Sequence, residues 1–469
     1  MKFYTSAITL ASCLASASAA ATAKCIDVDV AVIGGGSSGI HAAVNLKDAG
    51  AKVAVIEKKD QIGGHAETYV NPKNKVVANI GVAVFEDSKS VNKYFTRLEV
   101  PYEKRNLFAT AGTSQQYDFK LGFPIPAQSK AQAAATQQAQ AAAMKAYAET
   151  VLTKYPWVDQ GYLVPNPIPE ELLLPFGEFA QKHNFAALLP IISQLNWYPG
   201  NITTIPALYG IKKFGAGLMQ SVQNGFLVAK SGNTRSVYEA AAKVLGKDIY
   251  LDSHIVSVRR HKEGVKVVFK QHGKTLTVKA KKLVVAIPQT IENTKHFDLS
   301  EAERKVFSKF TSYGYVAGVA NIPGFKTSLQ NVGATTPAHT PLIPGSNGYN
   351  FFGSPEQALL GVAFDTSDYT IADSEAVIRR ELTTLARAGA LPADAAKKVT
   401  FSLISNHAPY YLHVTDKEIG HGFYHDLLKL EGQRNTYYTG AAFTGHNSGL
   451  IWNWNDGTVL PALKKDLGL

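Results

Sequence analysis

Cysteine is nearly absent from this chain, with two in 469 residues. Cys13 lies inside a hydrophobic leader and Cys25 follows it closely, so after loss of the leader no internal disulfide can form. The same scarcity excludes a thiolate zinc site and a Cys-x-x-Cys redox pair, and no metal centre is expected. Beyond the leader no apolar run is long enough to cross a bilayer. Acidic residues are outnumbered, 37 against 48 basic ones, which leaves a net charge of +11. The lysines are nevertheless scattered, with short clusters such as Lys279-Ala280-Lys281-Lys282 and no interleaved aromatics. That distribution reads as a solvated basic surface with a weak bias toward acidic partners, not as a nucleic-acid interface. No internal repeat is present. The composition is that of a globular protein, 18% charged and 45% hydrophobic. The length exceeds one compact core, so two domains are expected.

Residues 1–23 have the parts of a signal peptide: Lys2, a short apolar stretch from Tyr4 to Leu14, and an Ala/Ser run. Either Ala17-Ser18-Ala19 or Ala21-Thr22-Ala23 supplies the small-residue cleavage site. Entry into the secretory pathway and an extracellular destination follow as expectations. A glycosylation sequon, Asn201-Ile202-Thr203, is expected in a surface loop.

After the leader, Asp29–Gly34 is a short apolar run that predicts a buried parallel strand. Ser38–Ala49 has helical spacing through Ile40, Ala43, Val44 and Leu46, Gly50 stops it, and Lys52–Glu57 predicts the next strand. Residues 126–155 are rich in Ala and Gln and predict one long helix lying over another layer, ended by Pro156. Met144, Tyr147 and Val151 recur in it at helical intervals. Residues 156–210 predict loops and short helices. Strands are expected again across 249–282, with a hairpin turn at Gln271-His272-Gly273-Lys274, and at Tyr313–Ile322. Ser300 and Glu303 predict a capping box, and a helix is expected over roughly 373–389.

Gly34, Gly36 and Gly39 have the G-x-G-x-x-G spacing, with a strand before, a helix after, and Glu57 closing the second strand. In that context each glycine has a task. Gly34 allows the tight turn, Gly36 lets the backbone approach a pyrophosphate, and Gly39 lets helix and strand pack closely, while the helix start at Ser38 faces the negative charge. Glu57 accepts from the adenosine ribose hydroxyls, and an acidic residue there disfavours a 2′-phosphate and hence NADP. NAD and FAD share this turn. FAD is favoured because Gly63-Gly64 follows Glu57 directly, where the chain passes the dinucleotide again, and because a bound flavin travels with a secreted protein.

Glu57 followed by Gly63-Gly64 resembles the flavin-containing amine oxidase superfamily, which includes the monoamine oxidases. The Asn79-Ile80-Gly81 loop, "HIVSVRR", "LVVAIP" and "YYTGAAFTGHNSGLIWNWNDG" are similar as well, the last through Gly440, Ser448 and Gly449. In character the chain resembles fungal secondary-metabolite flavoenzymes of the β-cyclopiazonate dehydrogenase type. The resemblance implies an α/β and α+β fold: a Rossmann-type FAD-binding domain (24–85, 216–290 and 426–469) with a discontinuous substrate domain of mixed sheet plus helices (86–215 and 291–425). It places the backbone of Ile255 near the adenine, Gly63, Gly64 and His65 along the pyrophosphate and flavin, and Gly440 at the ribityl chain. Backbone N–H groups near Ile451 and Trp452 are placed at the flavin N1/C2 edge, where a helix N-terminus would stabilise the negative charge of reduced flavin.

This chain departs from the family at several positions. His65 replaces an arginine, Ala441 and Ala442 stand where an acidic residue is usual, and no lysine occurs at 315–317. Leu450 occupies one position of the aromatic cage, and Tyr410 or Tyr411 is the candidate for the other, only one of them facing the site if the segment is extended. His65 is either a titratable group that makes the flavin pH-sensitive or an imidazole bonded to phosphate or backbone. His446 and Asn447 either face the flavin or cap the loop. Trp452 and Trp454 either line the pocket or fill core. Tyr410, Tyr411, His446 and Trp452 are the candidate pocket residues, with no base assigned. The expected activity is hydride removal from a substrate C–H, next to nitrogen or in an activated ring, by non-covalent FAD with molecular oxygen as acceptor. Flavin monooxygenation and a non-catalytic binder of the escort or dissociation-inhibitor type are the alternatives.

Overall fold

The computed structural model describes residues 24–106, 114–196 and 201–469, so the leader lies outside the described residues. The glycine-marked segment folds as β1 (Lys24–Ile33), α1 (Ser37–Asp48) and β2 (Val53–Ile56), with β1 and β2 parallel and in register from Val30↔Val53 to Ile33↔Ile56. Val30–Ile33 and Val53–Ile56 are buried on both faces, as continuous apolar runs in a covered parallel sheet must be. The same sheet takes Lys274–Val285 parallel to the other edge of β1, and then Thr436–Tyr438 parallel to Lys274–Val285. Ser253–His261 and Gly264–Gln271 complete an antiparallel meander on it. The expected hairpin turn is present: His272 (φ 46°) and Gly273 (φ 76°) both lie at positive φ, the two-residue geometry that matches strand twist.

A second, mixed sheet is built from later segments. Its order is Thr400–Asn406, Thr311–Asn321, Gln357–Phe364, Gly345–Phe351, Leu329–Asn331, Gln115–Asp118 and Phe123–Pro124, with Tyr410–His413 pairing to Thr311–Asn321. One face packs Phe119, Leu360 and Val362 under Ile378, Leu382 and Leu385 of the helix Ile371–Arg387. On the other, Tyr315, Ala317 and Val319 meet Ala78 and Ile80, so alternate residues of one strand serve two clusters.

Two helix expectations shift. The helix expected over roughly 373–389 runs instead from Ile371 to Arg387, capped by Thr370 with Asp373 as its reciprocal partner in a capping box. The Ala/Gln-rich segment forms Lys130–Tyr147, capped by Ser129 and Gln132, and continues as a π turn over Ala148–Leu152. Only its end is buried, at Ala143, Tyr147 and Val151. Alanine and glutamine supply propensity without an apolar stripe, so most of this helix faces solvent rather than lying over another layer. The box at Ser300 and Glu303 forms as expected. Asn201 of the sequon is half-buried, and its Oδ1 accepts from the Thr203 N–H at 2.9 Å. No helix among the described residues is long and apolar enough to span a membrane.

Candidate functional site

The turn after β1 is held by its own glycines. Gly34 sits at φ 106°, and a Cβ on Gly39 would lie 2.0 Å from the Gly34 carbonyl oxygen, so no larger residue fits where α1 crosses the strand. The second glycine pair packs directly on the first: the Gly63 N–H donates to Gly35 O at 2.8 Å, and a Cβ on Gly64 would come within 2.9 Å of the Gly36 Cα. A Cβ on Gly36 would meet only the Gly64 Cα at 3.7 Å, and one on Gly440 (φ 116°) only Ser38 Oγ at 3.6 Å. Both glycines therefore border open space at the start of α1. Glu57 is buried at the end of β2, its Oε2 accepting from Gly35 N–H at 2.6 Å and its Oε1 from Lys59 N–H at 2.8 Å, with lone pairs left for further donors. Ser253 N–H donates to Glu57 O at 2.9 Å, which sets the Ile255 strand beside that carboxylate. Glycine-lined space, a helix start and a carboxylate are a donor set that fits a dinucleotide.

Beside the cradle lies a group of rings, with His407 and Tyr315 buried and His65, Tyr410 and His446 half-buried. His65 stacks on His407 at 4.4 Å, and Tyr410 meets Tyr315 at 4.6 Å and His446 at 4.3 Å. Gly81 of the Asn79-Ile80-Gly81 loop approaches His65 so closely that a Cβ would sit 1.7 Å from its carbonyl oxygen. Burial, and then the neighbouring His407 and His446, hold His65 well below the usual imidazole range. Tyr411 N–H donates to His446 Nε2 at 2.8 Å, which makes that nitrogen the acceptor.

Three of the expected roles change. Trp452 is fully buried against His41, Phe85 and Tyr94, with its Nε1 donating to Ser37 Oγ at 3.0 Å; it is core and not a pocket wall. Ile451 lies one turn inside the helix Ser448–Trp454, and its N–H is spent on Asn447 O at 3.0 Å. The donors at that helix start are those of Ser448 to Leu450, so neither Ile451 nor Trp452 presents its N–H. Asn447 is the cap, its Oδ1 accepting from Gly449 and Leu450. Finally, Tyr410–Tyr411 is not a simple extended pair, because Tyr411 has φ 50°. Tyr411 and His446 line the main cavity, while Tyr410 belongs to the ring cluster behind it.

That cavity has a volume of about 390 Å3 and contains the residues that the sequence did not reveal. Its walls are Tyr162, Tyr209, Tyr313 and Tyr411, together with Glu86, Lys212, Lys213, His413 and the segment Gly445–Asn447. Glu86 is buried; loss of solvent, and then the nearby Asp159, push its carboxyl up to about 8, although Asn447 Nδ2 donates to it at 2.5 Å. Burial brings Lys212 down to about 7, with Asp159 and Glu86 opposing that shift. Lys212 Nζ donates to the carbonyls of Val158 and Gly161. A lysine pair set between Tyr209, Ile211 and Phe214 was the available sign that these charges turn inward.

Fold and cradle together define a protein built around a dinucleotide. Residues 37–451 match the family of flavin containing amine oxidoreductases, and the chain belongs to that family. It is 50% identical over 458 residues to the FAD-dependent oxidoreductase dpchF of Colletotrichum higginsianum, with 96% of each chain covered. It is 30% identical over 447 residues to the beta-cyclopiazonate dehydrogenase of Aspergillus flavus, with 92% of each covered. Among solved structures, a CLA-producing fatty acid isomerase from P. acnes superposes with a TM-score of 0.72 at 18% identity, over 92% of this chain and 98% of that one. Putrescine oxidase superposes at 0.60 and 15% identity, over 93% and 100%. The fold is that of the amine oxidases, the cofactor is FAD, and the protein is an FAD-dependent oxidoreductase.

Proposed function

We propose that this enzyme removes a hydride from a C–H bond, next to nitrogen or in an activated ring, of a small secondary-metabolite-like substrate. Bound FAD supplies the two-electron chemistry, with molecular oxygen as the terminal acceptor and hydrogen peroxide as its product. The observation that carries this reading is the shared wall: Ala441 follows the cradle glycine Gly440 directly, and Ala441 and Gly445–Asn447 line the cavity. A substrate there lies against the same segment that borders the dinucleotide space. Tyrosine walls suit a planar skeleton, and burial of the cavity strengthens each polar contact it makes. In this reading the first sheet carries the cofactor and the second sheet, with its helices, the substrate. FAD is held without a covalent link; the cysteine of the described residues, Cys25, is exposed at the start of β1. Residues 1–23 direct the chain into the secretory pathway, which N-terminal sequencing of protein from culture medium checks.

The test is spectroscopic. Purified protein should show flavin absorbance, release free flavin on acid precipitation, and bleach anaerobically with its substrate. With oxygen readmitted, one equivalent of peroxide should form per substrate oxidised without added NAD(P)H. A requirement for NAD(P)H with oxygen inserted into product would make the enzyme a monooxygenase, and a protein that neither carries nor takes up FAD would make it a binder.

A further inference from the structure

Removing a hydride from a substrate leaves a proton to be placed, and Glu86 has the geometry to receive it. It is only 3% exposed, yet it stands in the cavity wall. Its backbone has little freedom. Phe85 exchanges two hydrogen bonds with Leu227, each 2.9 Å, and Ser88 caps the helix Lys89–Arg97. The side chain is oriented as well: Asn447 Oδ1 accepts from the Gly449 and Leu450 N–H groups, so its Nδ2 has to face outward, where it donates to Glu86 Oε1 at 2.5 Å.

The second carboxyl oxygen is left open. Among the described residues no hydrogen-bond donor reaches Glu86 Oε2, and this oxygen keeps accessible surface, unlike the sealed Oδ1 of Asp159. Two glycines border it: a Cβ on Gly217 would lie 2.8 Å from Oε2 and one on Gly449 3.4 Å away. Other polar groups of the wall are engaged. Lys212 is tied to the carbonyls of Val158 and Gly161, His446 Nε2 accepts from Tyr411 N–H, and His413 Nδ1 lies 2.6 Å from Tyr411 O. Asp416 stands exposed at the rim.

We propose that Glu86 is the catalytic base of this site, its Oε2 taking the proton that the substrate gives up as the hydride leaves. This rests on the reading of the cavity as the substrate site. The C–H bond breaks with its electron pair passing to bound FAD. A bond to hydrogen on the neighbouring atom breaks with its proton passing to Oε2, and the pair left behind closes the new double bond. The substrate loses two electrons and two hydrogens, one as hydride and one as a proton.

The charges that act on Glu86 are Asp159, which opposes its ionisation, and Lys212, which favours it. The helices Ala216–Asn224 and Ser448–Trp454 bring Gly217 and Gly449 against it and carry no charged residue. Asp87, its neighbour in the chain, is turned to Lys104 and Asn92, while Lys213 and His446 share the cavity wall. Loss of solvent, and then Asp159, push the carboxyl up to about 8, so the basic form is the minor one at neutral pH and the major one above that value. Proton abstraction should therefore speed up with pH through about 8 and then level off.

The FAD-loaded protein can be tested with 5-nitrobenzisoxazole, a small planar molecule whose ring opens to a coloured phenolate when a base removes its heterocyclic C–H proton. No oxidant is needed. Ring opening by the parent should level off above about pH 8 instead of climbing in proportion to hydroxide. Glu86→Gln keeps the shape and an acceptor for Asn447, so it should load FAD and melt no lower than the parent. Its enzyme-dependent ring opening should fall by about a hundredfold, the lower end of what a positioned base contributes. A parent rate that only follows hydroxide, or a folded Glu86→Gln that opens the ring as fast as the parent, overturns the proposal. Bleaching and peroxide formation are separate readouts: a protein that opens the ring through Glu86 but never bleaches keeps its base and loses the proposed oxidation.

Discussion

Gly36 and Gly39 belong to one motif but are constrained by different neighbours, and substitution separates them. Alanine at Gly39 drives a Cβ to 2.0 Å from the Gly34 carbonyl oxygen, a backbone atom that cannot step aside. Gly39→Ala should therefore destabilise the apoprotein by about 3 kcal/mol or more. Gly36 has φ −75°, which alanine adopts freely, and its Cβ meets nothing closer than 3.7 Å. Gly36→Ala should leave apoprotein stability unchanged or raise it by up to about 1 kcal/mol, while the methyl group intrudes on the cofactor and lowers FAD retention. Urea unfolding of both apoproteins and the flavin-to-protein absorbance ratio after dialysis check this; a Gly36→Ala protein that keeps its flavin would place the pyrophosphate elsewhere. These glycines and Glu57 were legible because their tasks are local and their spacing records them. Lys212, Lys213 and Glu86 were not, because a charged residue in sequence looks like a solvated one until the fold closes over it.

Elements defined by contiguous residues were read well, and sites assembled from distant segments were not. The β1–α1–β2 unit, the 271–274 hairpin and the Ser300 box each lie within a short stretch. The cavity draws on residue 86, residues 209–215, residues 311–313, residues 411–416 and residues 441–447, and no periodicity links them. The helix Ser448–Trp454 shows how a small error of phase matters. Its cap is Asn447, so the helix begins three residues before Ile451 and the first N–H groups belong to Ser448, Gly449 and Leu450, while Trp452 rotates into the core. Asn447 also links that helix to the cavity by donating to Glu86. Asn447→Ala removes the cap acceptor and should cost about 1–2 kcal/mol, whereas Asn447→Ser keeps a capping oxygen and should recover most of it. Equal losses for the two variants would show that the bond to Glu86, which neither retains, matters more than the cap.

Across the whole molecule, burial has fixed an unusual set of protonation states, and together they dictate the response to acid. Burial holds His41 and His446 down to about 3 and His65 well below the ordinary 6.5, so each is neutral when folded. Their contribution to stability is complete above pH 6.5 and is lost as the pH falls toward their folded values, because only the unfolded chain takes up those protons. Burial pushes Glu86 and Glu431 the other way, to about 8 from 4.5, so their contribution is complete below pH 4.5 and is lost as the pH rises toward 8. Between 4.5 and 6.5 the two sets oppose each other, and stability should change slowly. Below 4.5 the carboxyl opposition vanishes while the histidines continue. Glu67 and Glu303 then add to the loss, since their hydrogen-bonded partners, His407 and Lys59 for one and Arg260 and Tyr438 for the other, outweigh burial and hold them below 4.5. Unfolding free energies from urea titrations over this range should show a shallow limb that turns steep near pH 4.5. Glu86→Gln removes one of the opposing groups without changing shape. It should raise stability near neutral pH by about 1–3 kcal/mol and steepen the limb between 4.5 and 6.5 by about 1.4 kcal/mol per pH unit, the value of one proton. A Glu86→Gln profile parallel to that of the parent would mean that Glu86 is ionised in the folded protein and that the cavity carries a negative charge.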